Sequence, residues 1–225
     1  VSNDRLVLYA PEPTRLYRFT NRFTMVDWMA PAEDTHGSLR GDSWSPVYQP
    51  QGGLLLVQRR FHEVIRERGR LSTEPRRQIL YVSRRDSVRM INNEELLIEG
   101  LRSAFGEATV RVHRGHEPLL EQIVLFESAA MVIGAHGAGL SNLVFCNRGT
   151  PLIMFPMQPH VDHTYGHMAA ALGLPHWVLT EVSSYYYGHY GYLTHEQVAL
   201  VVDTARRAWP LGSSPDGSNA ARDDL

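Results

Sequence analysis

The sequence predicts an α/β fold, a Rossmann-like parallel sheet flanked by helices, and three observations carry that expectation. From Gln78 onward, short apolar runs alternate with helical stretches of about ten to fifteen residues, the pattern of βαβ units. Crossovers of that kind are right-handed, so the strands they join run parallel. Finally, the run Ile133-Gly134-Ala135-His136-Gly137-Ala138-Gly139-Leu140-Ser141-Asn142 reads as a strand, a glycine turn and a helix start, and core packing does not explain it.

The elements follow in order. Val1 to about Arg76 is rich in proline, arginine and aromatic residues, and is read as the incomplete end of an amino-terminal domain (1–76). Within it Leu54 to Arg68 is the regular part. Val57, Phe61, Val64 and Ile65 fall at helical spacing, Arg59, Arg60, Arg66 and Glu67 face away, and Gly69 ends the helix. The second domain (77–209) opens with a strand at Ile79 to Ser83, a helix at Asn92 to Phe105 and a strand at Thr109 to Val112. A helix at Pro118 to Glu127, a strand at Met131 to Ala135 and a short helix from Leu140 come next. The series ends with a strand at Leu152 to Phe155, a helix at Thr164 to Leu172, a strand at Trp177 to Leu179 and a helix at His195 to Trp209. Local signals support these bounds. Asn92 with Glu95 and Thr194 with Gln197 have capping-box spacing, Pro118 suits a first helical turn, and Gly106 and Gly173 sit where helices stop. The polar stretch Pro210 to Leu225 (210–225) reads as a disordered tail.

Composition limits the partners. With 43% apolar residues, the 225-residue chain can bury a sizeable core. A net charge of -2 with mixed signs offers no basic surface for nucleic acid. The single cysteine, Cys146, excludes an internal disulfide framework and a cysteine-based zinc site, and its apolar setting makes it a buried small hydrophobe. No run reaches membrane-spanning length. The chain opens at Val1 in place of a methionine, which is expected of a fragment whose targeting signal or anchor lies upstream.

Ligands of an open parallel sheet bind beyond the carboxyl ends of its strands, so the residues after each strand belong together. They are Arg84 and Arg85; His113, Arg114 and His116; the His136 to Asn142 turn; Pro156 to His163; and the tyrosine-rich Ser183 to Tyr192 loop. Arginines bind phosphate oxygens in forked geometry, helix-start N–H groups hold a pyrophosphate, and tyrosines stack on a base or sugar. A nucleotide diphosphate fits that set. Each residue also has a plainer reading. Arg84 and Arg85 are then surface groups paired with Asp86 or Glu94, His136 is a hydrogen-bonded structural histidine, and Tyr185, Tyr186 and Tyr187 pack within their loop. The turn is not G-x-G-x-x-G and no Walker lysine follows it, which argues against dinucleotide and P-loop sites.

Ser83-Arg84-Arg85-Asp86, Arg89-Met90-Ile91-Asn92, Glu95-Leu96, then Gln122, Phe126 and Ala130, and Gly134 to Asn142 with Phe145 and Gly149, resemble glycosyltransferase family 61 in order and spacing. The likeness covers about Gln78 to Pro156. It implies an inverting transferase of GT-B architecture, with this chain carrying the carboxyl-terminal, Rossmann-like donor domain and, in residues 1–76, the end of the amino-terminal, acceptor-side domain. It also implies a UDP-sugar donor, carrying GlcNAc or a pentose, and a hydroxyl of a glycoprotein or polysaccharide as acceptor. The setting would be the lumen of the Golgi or endoplasmic reticulum. The donor-binding residues would be Arg84, Arg85, Asn92, Glu95, His136, Gly137, Ala138, Gly139 and Asn142, with His136 the candidate catalytic base within this chain. Because arginines and N–H groups can do the charge work and no Asp-x-Asp motif occurs, no metal and no other cofactor is expected. The sequence departs from the family at Met154, where members often carry a strand-end glutamate able to reach the ribose or sugar. The alternatives are a non-catalytic nucleotide- or sugar-binding module and a Rossmann-type oxidoreductase, the latter lacking a glycine fingerprint after the first strand.

Overall fold

The computed structural model describes residues 51–69, 76–85, 90–158, 164–182, 184–185 and 191–209. Helix α1 (Gln51–Glu67) precedes strand β1 (Gln78–Val82), helix α2 (Glu94–Phe105), strand β2 (Val110–His113), helix α3 (Leu119–Ser128) and strand β3 (Ala129–Ala135). A 3-10 helix (Ala138–Phe145), strand β4 (Leu152–Phe155), the short strand β5 (Met157–Gln158), helix α4 (Thr164–Leu172), strand β6 (His176–Val178), the short strand β7 (Ser184–Tyr185) and helix α5 (His195–Ala208) complete it. The expected α/β fold is present. Every element anticipated between Gln78 and Trp209 forms, its ends shifted by no more than a few residues, as fraying ends allow.

Five strands make one parallel sheet in the order β2-β1-β3-β4-β6. Alternation along each strand divides the core in two. Leu80 and Val82 of β1, Val132 of β3, and Leu152 and Met154 of β4 point to one face, which α1, α3, α4 and the 3-10 helix cover. Ile79, Tyr81, Met131, Ile133, Ile153 and Phe155 point to the other, which α2 and α5 cover. Gly100 lets those two helices close up. A Cβ there would lie 2.7 Å from Val198 Cγ1.

Helix α1 falls within the range expected to end an amino-terminal domain, and it packs on the sheet. Leu54, Phe61 and Ile65 enter the first core, Phe61 meets Phe145 edge-on at 4.7 Å, and Gln58 Nε2 donates to the Cys146 carbonyl at 2.6 Å. These contacts hold the end of the 3-10 helix.

Three local expectations are corrected. The capping box at Asn92 and Glu95 is absent: Asn93 is the N-cap, and its amide instead donates to the Leu193 carbonyl and accepts from the Leu193 N–H, at 2.9 and 2.8 Å. That exchange ties the start of α2 to the segment before α5, where the Thr194–Gln197 capping box does form. Pro118 is the N-cap of α3 and lies outside its first turn. Finally, the helix after the glycine turn starts at Ala138, earlier than Leu140, and is 3-10 in type. Three-residue periodicity stacks Leu140 and Leu143 over the same core, which explains its form.

A helix that shares the core should respond to cavity creation. Ile65→Ala (0% exposed) is expected to cost about 2–5 kcal/mol in urea unfolding, while Leu56→Ala on the outer face (43% exposed) should stay within about 0.5 kcal/mol. Equal, small effects would detach α1 from the core.

Candidate functional site

From β1 the chain crosses to β2 by way of α2 on one face, then returns past β1 to β3 by way of α3 on the other face. The connections therefore diverge between β1 and β3. In sheets of this order a crevice opens there, beyond the carboxyl ends of the strands. The residues that leave at this point are Ser83 to Arg85 and His136 to Asn142.

The glycines of the turn have two separate roles. A Cβ on Gly134 would lie 3.0 Å from Val82 Cβ, and one on Gly139 would lie 2.8 Å from Val82 Cγ1, so both let the turn press against the end of β1. Gly137 makes a hollow for a side chain. A Cβ there would fall on the Arg84 guanidinium, which occupies that space. The structure thus brings together Arg84 and Gly137, residues 53 positions apart in the sequence.

Arg85 turns elsewhere. Its guanidinium pairs with Glu95 and lies 3.5 Å from Glu94, the first residue of α2. Glu94 is wholly buried (0% exposed) and accepts hydrogen bonds from Ser83 Oγ, 2.8 and 2.9 Å from its two oxygens, and from the Tyr81 hydroxyl at 3.3 Å. Burial pushes the Tyr81 phenol well above its ordinary range, and the charge of Glu94 adds to the effect. Asn92 is held by its backbone N–H, which donates to the Gly191 carbonyl at 2.9 Å.

Asn142 is drawn into a second buried network. Its amide nitrogen donates to Gln122 Oε1 at 2.8 Å and lies 3.4 Å from His113 Nε2. Gln122 is itself fixed, donating to the Glu117 carbonyl at 2.7 Å. His113 is 1% exposed, with Nδ1 2.9 Å from Glu117 Oε2, a pairing that leaves Nε2 to accept from Asn142. Ala138 stands exposed at the start of the 3-10 helix.

His136 is 5% exposed, its N–H donates to the Phe155 carbonyl at 2.8 Å, and its ring meets Tyr165 of α4 edge-on at 4.9 Å. Met154 is buried in the first core with Tyr165 and Met168. Cys146 is buried as expected, and burial raises its thiol far above the ordinary range. Among the described residues no group of three His, Cys, Asp or Glu side chains could hold a metal ion, and no helix is long and apolar enough to cross a membrane.

The loops after β4 and β6 begin side by side, because β5 and β7 pair as a two-stranded parallel ribbon, and Ile91 bridges Gly191. Three strand-end segments are therefore closed over one edge. Residues 159–163 and 186–190 of those loops, including His163, Tyr186 and Tyr187, lie outside the described residues, as do Asp86 and Arg89. The sequence placed His113 among the strand-end residues, carried Gln122 in the family likeness and offered Glu94 as a partner in the plainer reading of Arg84 and Arg85, which Arg85 follows; it did not point to Tyr81 or Glu117. The run Asn92-Asn93-Glu94-Glu95 held a signal, but capping-box spacing pointed to the wrong pair.

A doubly wound parallel sheet with an arginine and a glycine turn meeting at its switch point is the class of protein these features define. Comparison with known proteins narrows the class. Residues 49–153 match the family model Glycosyltransferase 61. It is similar to the EGF domain-specific O-linked N-acetylglucosamine transferase of Drosophila melanogaster, 33% identical over 90 residues, which are 39% of this chain. That match spans 17% of the relative's length.

The His113 network has a pH signature. Burial lowers the imidazole below its ordinary 6.5, outweighing the opposing pull of Glu117. Burial acts to raise Glu117, but backbone N–H groups of Glu117, Arg114 and Gly115 and the charge of His113 bring it below its ordinary 4.5. As pH falls past 6.5 the unfolded chain takes the His113 proton first, so this stability is complete above 6.5 and shrinks below it. The Glu117 contribution is lost in turn as pH falls below 4.5. The urea midpoint gap between wild type and His113→Gln should narrow from about pH 7 to about pH 5. A gap that widens on acidification would contradict the assignment.

Proposed function

We propose that this chain carries the donor domain of an inverting, GT-B-type glycosyltransferase that takes a sugar from UDP and delivers it to a hydroxyl group. The observation that carries this reading is the Arg84 guanidinium seated in the Gly137 hollow at the switch point of a parallel sheet. A fixed cation beside the N–H groups at a helix start suits a diphosphate, and it suits the departing UDP even better, because charge grows on the phosphate as the glycosidic bond breaks. The family match supports sugar transfer. The relative's name supports N-acetylglucosamine as the sugar and a protein hydroxyl as the acceptor.

In the proposed reaction a base removes the proton from the acceptor hydroxyl while its oxygen attacks the anomeric carbon. The bond from that carbon to the UDP oxygen breaks in the same step, inverting the configuration. Arg84 and the N–H groups of the Gly137 to Gly139 turn stabilise the leaving diphosphate. His136 packs beneath this turn against Tyr165 and would shape the donor pocket. With the base supplied in the acceptor-side half of the protein, this chain binds and polarises the donor without a required metal.

Titration of the full chain with UDP, UDP-GlcNAc, UDP-xylose and NAD tests the reading. UDP and at least one UDP-sugar should bind, and Arg84→Ala should weaken UDP by about 10- to 100-fold, the range for a charge-assisted hydrogen bond. Binding of NAD with no response to UDP would favour the oxidoreductase reading. UDP binding with neither transfer nor donor hydrolysis by the intact protein would point to a non-catalytic module. Gly137→Ala offers a second check. It should weaken UDP about as much as Arg84→Ala, because a Cβ there displaces the guanidinium.

A further inference from the structure

The two neighbouring arginines differ in what surrounds them. Around Arg85 stand two carboxylates, Glu94 and Glu95, against its single positive charge. An incoming diphosphate would meet the exposed Glu95 carboxylate there. Arg84 instead lies over the backbone of the glycine turn. The backbone between the two sets of contacts is constrained as well. Ser83 Oγ donates to Glu94 and accepts from the Arg85 N–H at 3.2 Å, so one hydroxyl fixes the turn from both sides.

Glu94 is the center of this arrangement. A buried carboxylate is costly unless it is paired and hydrogen-bonded, and here Ser83, Tyr81 and Arg85 all serve it, with the N-terminus of α2 adding a favourable dipole. All three partners belong to β1 or to the turn that leaves it. A group so expensive to bury, satisfied wholly by the segment that carries Arg84, holds that segment in one conformation.

We propose that Glu94 is a positioning residue that, with Arg85 as its counter-charge, sets the Ser83–Arg85 turn so that Arg84 alone of the two arginines meets the donor's diphosphate. The inference rests on the donor reading given above and divides the work of residues that the family resemblance groups together. Arg85 is structural. Arg84 makes the contact.

The test measures UDP binding to the full chain by calorimetry over a range of salt, for wild type, Arg84→Ala, Arg85→Ala, Glu94→Gln and the Arg84→Ala/Glu94→Gln double variant. Glu94→Gln should weaken UDP roughly tenfold in the wild-type background but no more than about twofold when Arg84 is already absent, because coupled residues do not add. Arg84→Ala should flatten the salt dependence of binding, whereas Arg85→Ala should leave its steepness unchanged and lower the thermal midpoint. If Glu94→Gln does not fold, Ser83→Ala, which keeps the carboxylate and removes its principal donor, replaces it in both backgrounds. An equal loss from Glu94→Gln in both backgrounds, or a flattened salt dependence for Arg85→Ala, would overturn the proposal while leaving the donor reading intact. Wild type that fails to bind UDP at all would overturn the donor reading and the positioning role with it.

Discussion

The close approach of the glycine turn to the end of β1 is the contact on which the rest of this site depends. Val82 is the last residue of β1, and Gly134 and Gly139 both lie against its side chain with no room for a Cβ. Any larger residue would lift the turn away from the strand. Without that approach the Gly137 hollow would not face Arg84, and the two sides of the switch point would be separated by a layer of side chains. Turns of this kind favour glycine when backbone must come close to other atoms. Here what comes close is the end of another strand, and at Gly137 it is the Arg84 side chain.

Buried polar groups then hold each side of the crevice in place. Glu94 lies beneath the segment leaving β1, and His113 with Glu117 and Gln122 lies beneath Asn142 in the 3-10 helix that follows β3. In a low-dielectric interior an unsatisfied polar atom is costly, so a network of this kind favours one arrangement strongly over its neighbours. Both networks sit at the carboxyl ends of the strands, where the apolar sheet gives way to the crevice.

The same edge collects segments that are far apart in the chain. The β5–β7 ribbon, the Ile91–Gly191 bridge and the Asn93–Leu193 hydrogen bonds draw the connections after β1, β4 and β6 into one rim. Helix α1 supports the opposite end of the 3-10 helix through Gln58 and Phe61. The glycine turn is thus anchored on β1, and the 3-10 helix that follows it on α1. Met154 belongs to the interior beside this region, packed with Tyr165, whose ring also supports His136.

The sequence by itself determined the order and type of almost every element from Gln78 to Trp209, because strand and helix periodicity, turn glycines and the Thr194 cap are local signals within a few residues of each other. It also marked Gly134 to Asn142 as exceptional, since core packing did not explain that run. Only the tertiary structure decided what each residue does. The strand order set β1 beside β3, which separated Gly137, facing Arg84, from Gly134 and Gly139, facing Val82. It turned Arg85 toward Glu94 and Asn142 toward His113, and gave Asn93 a partner 100 positions away in place of a helix cap. A side chain takes the partner that best offsets its burial. That partner depends on which segments the fold brings together, and local spacing carries no record of it.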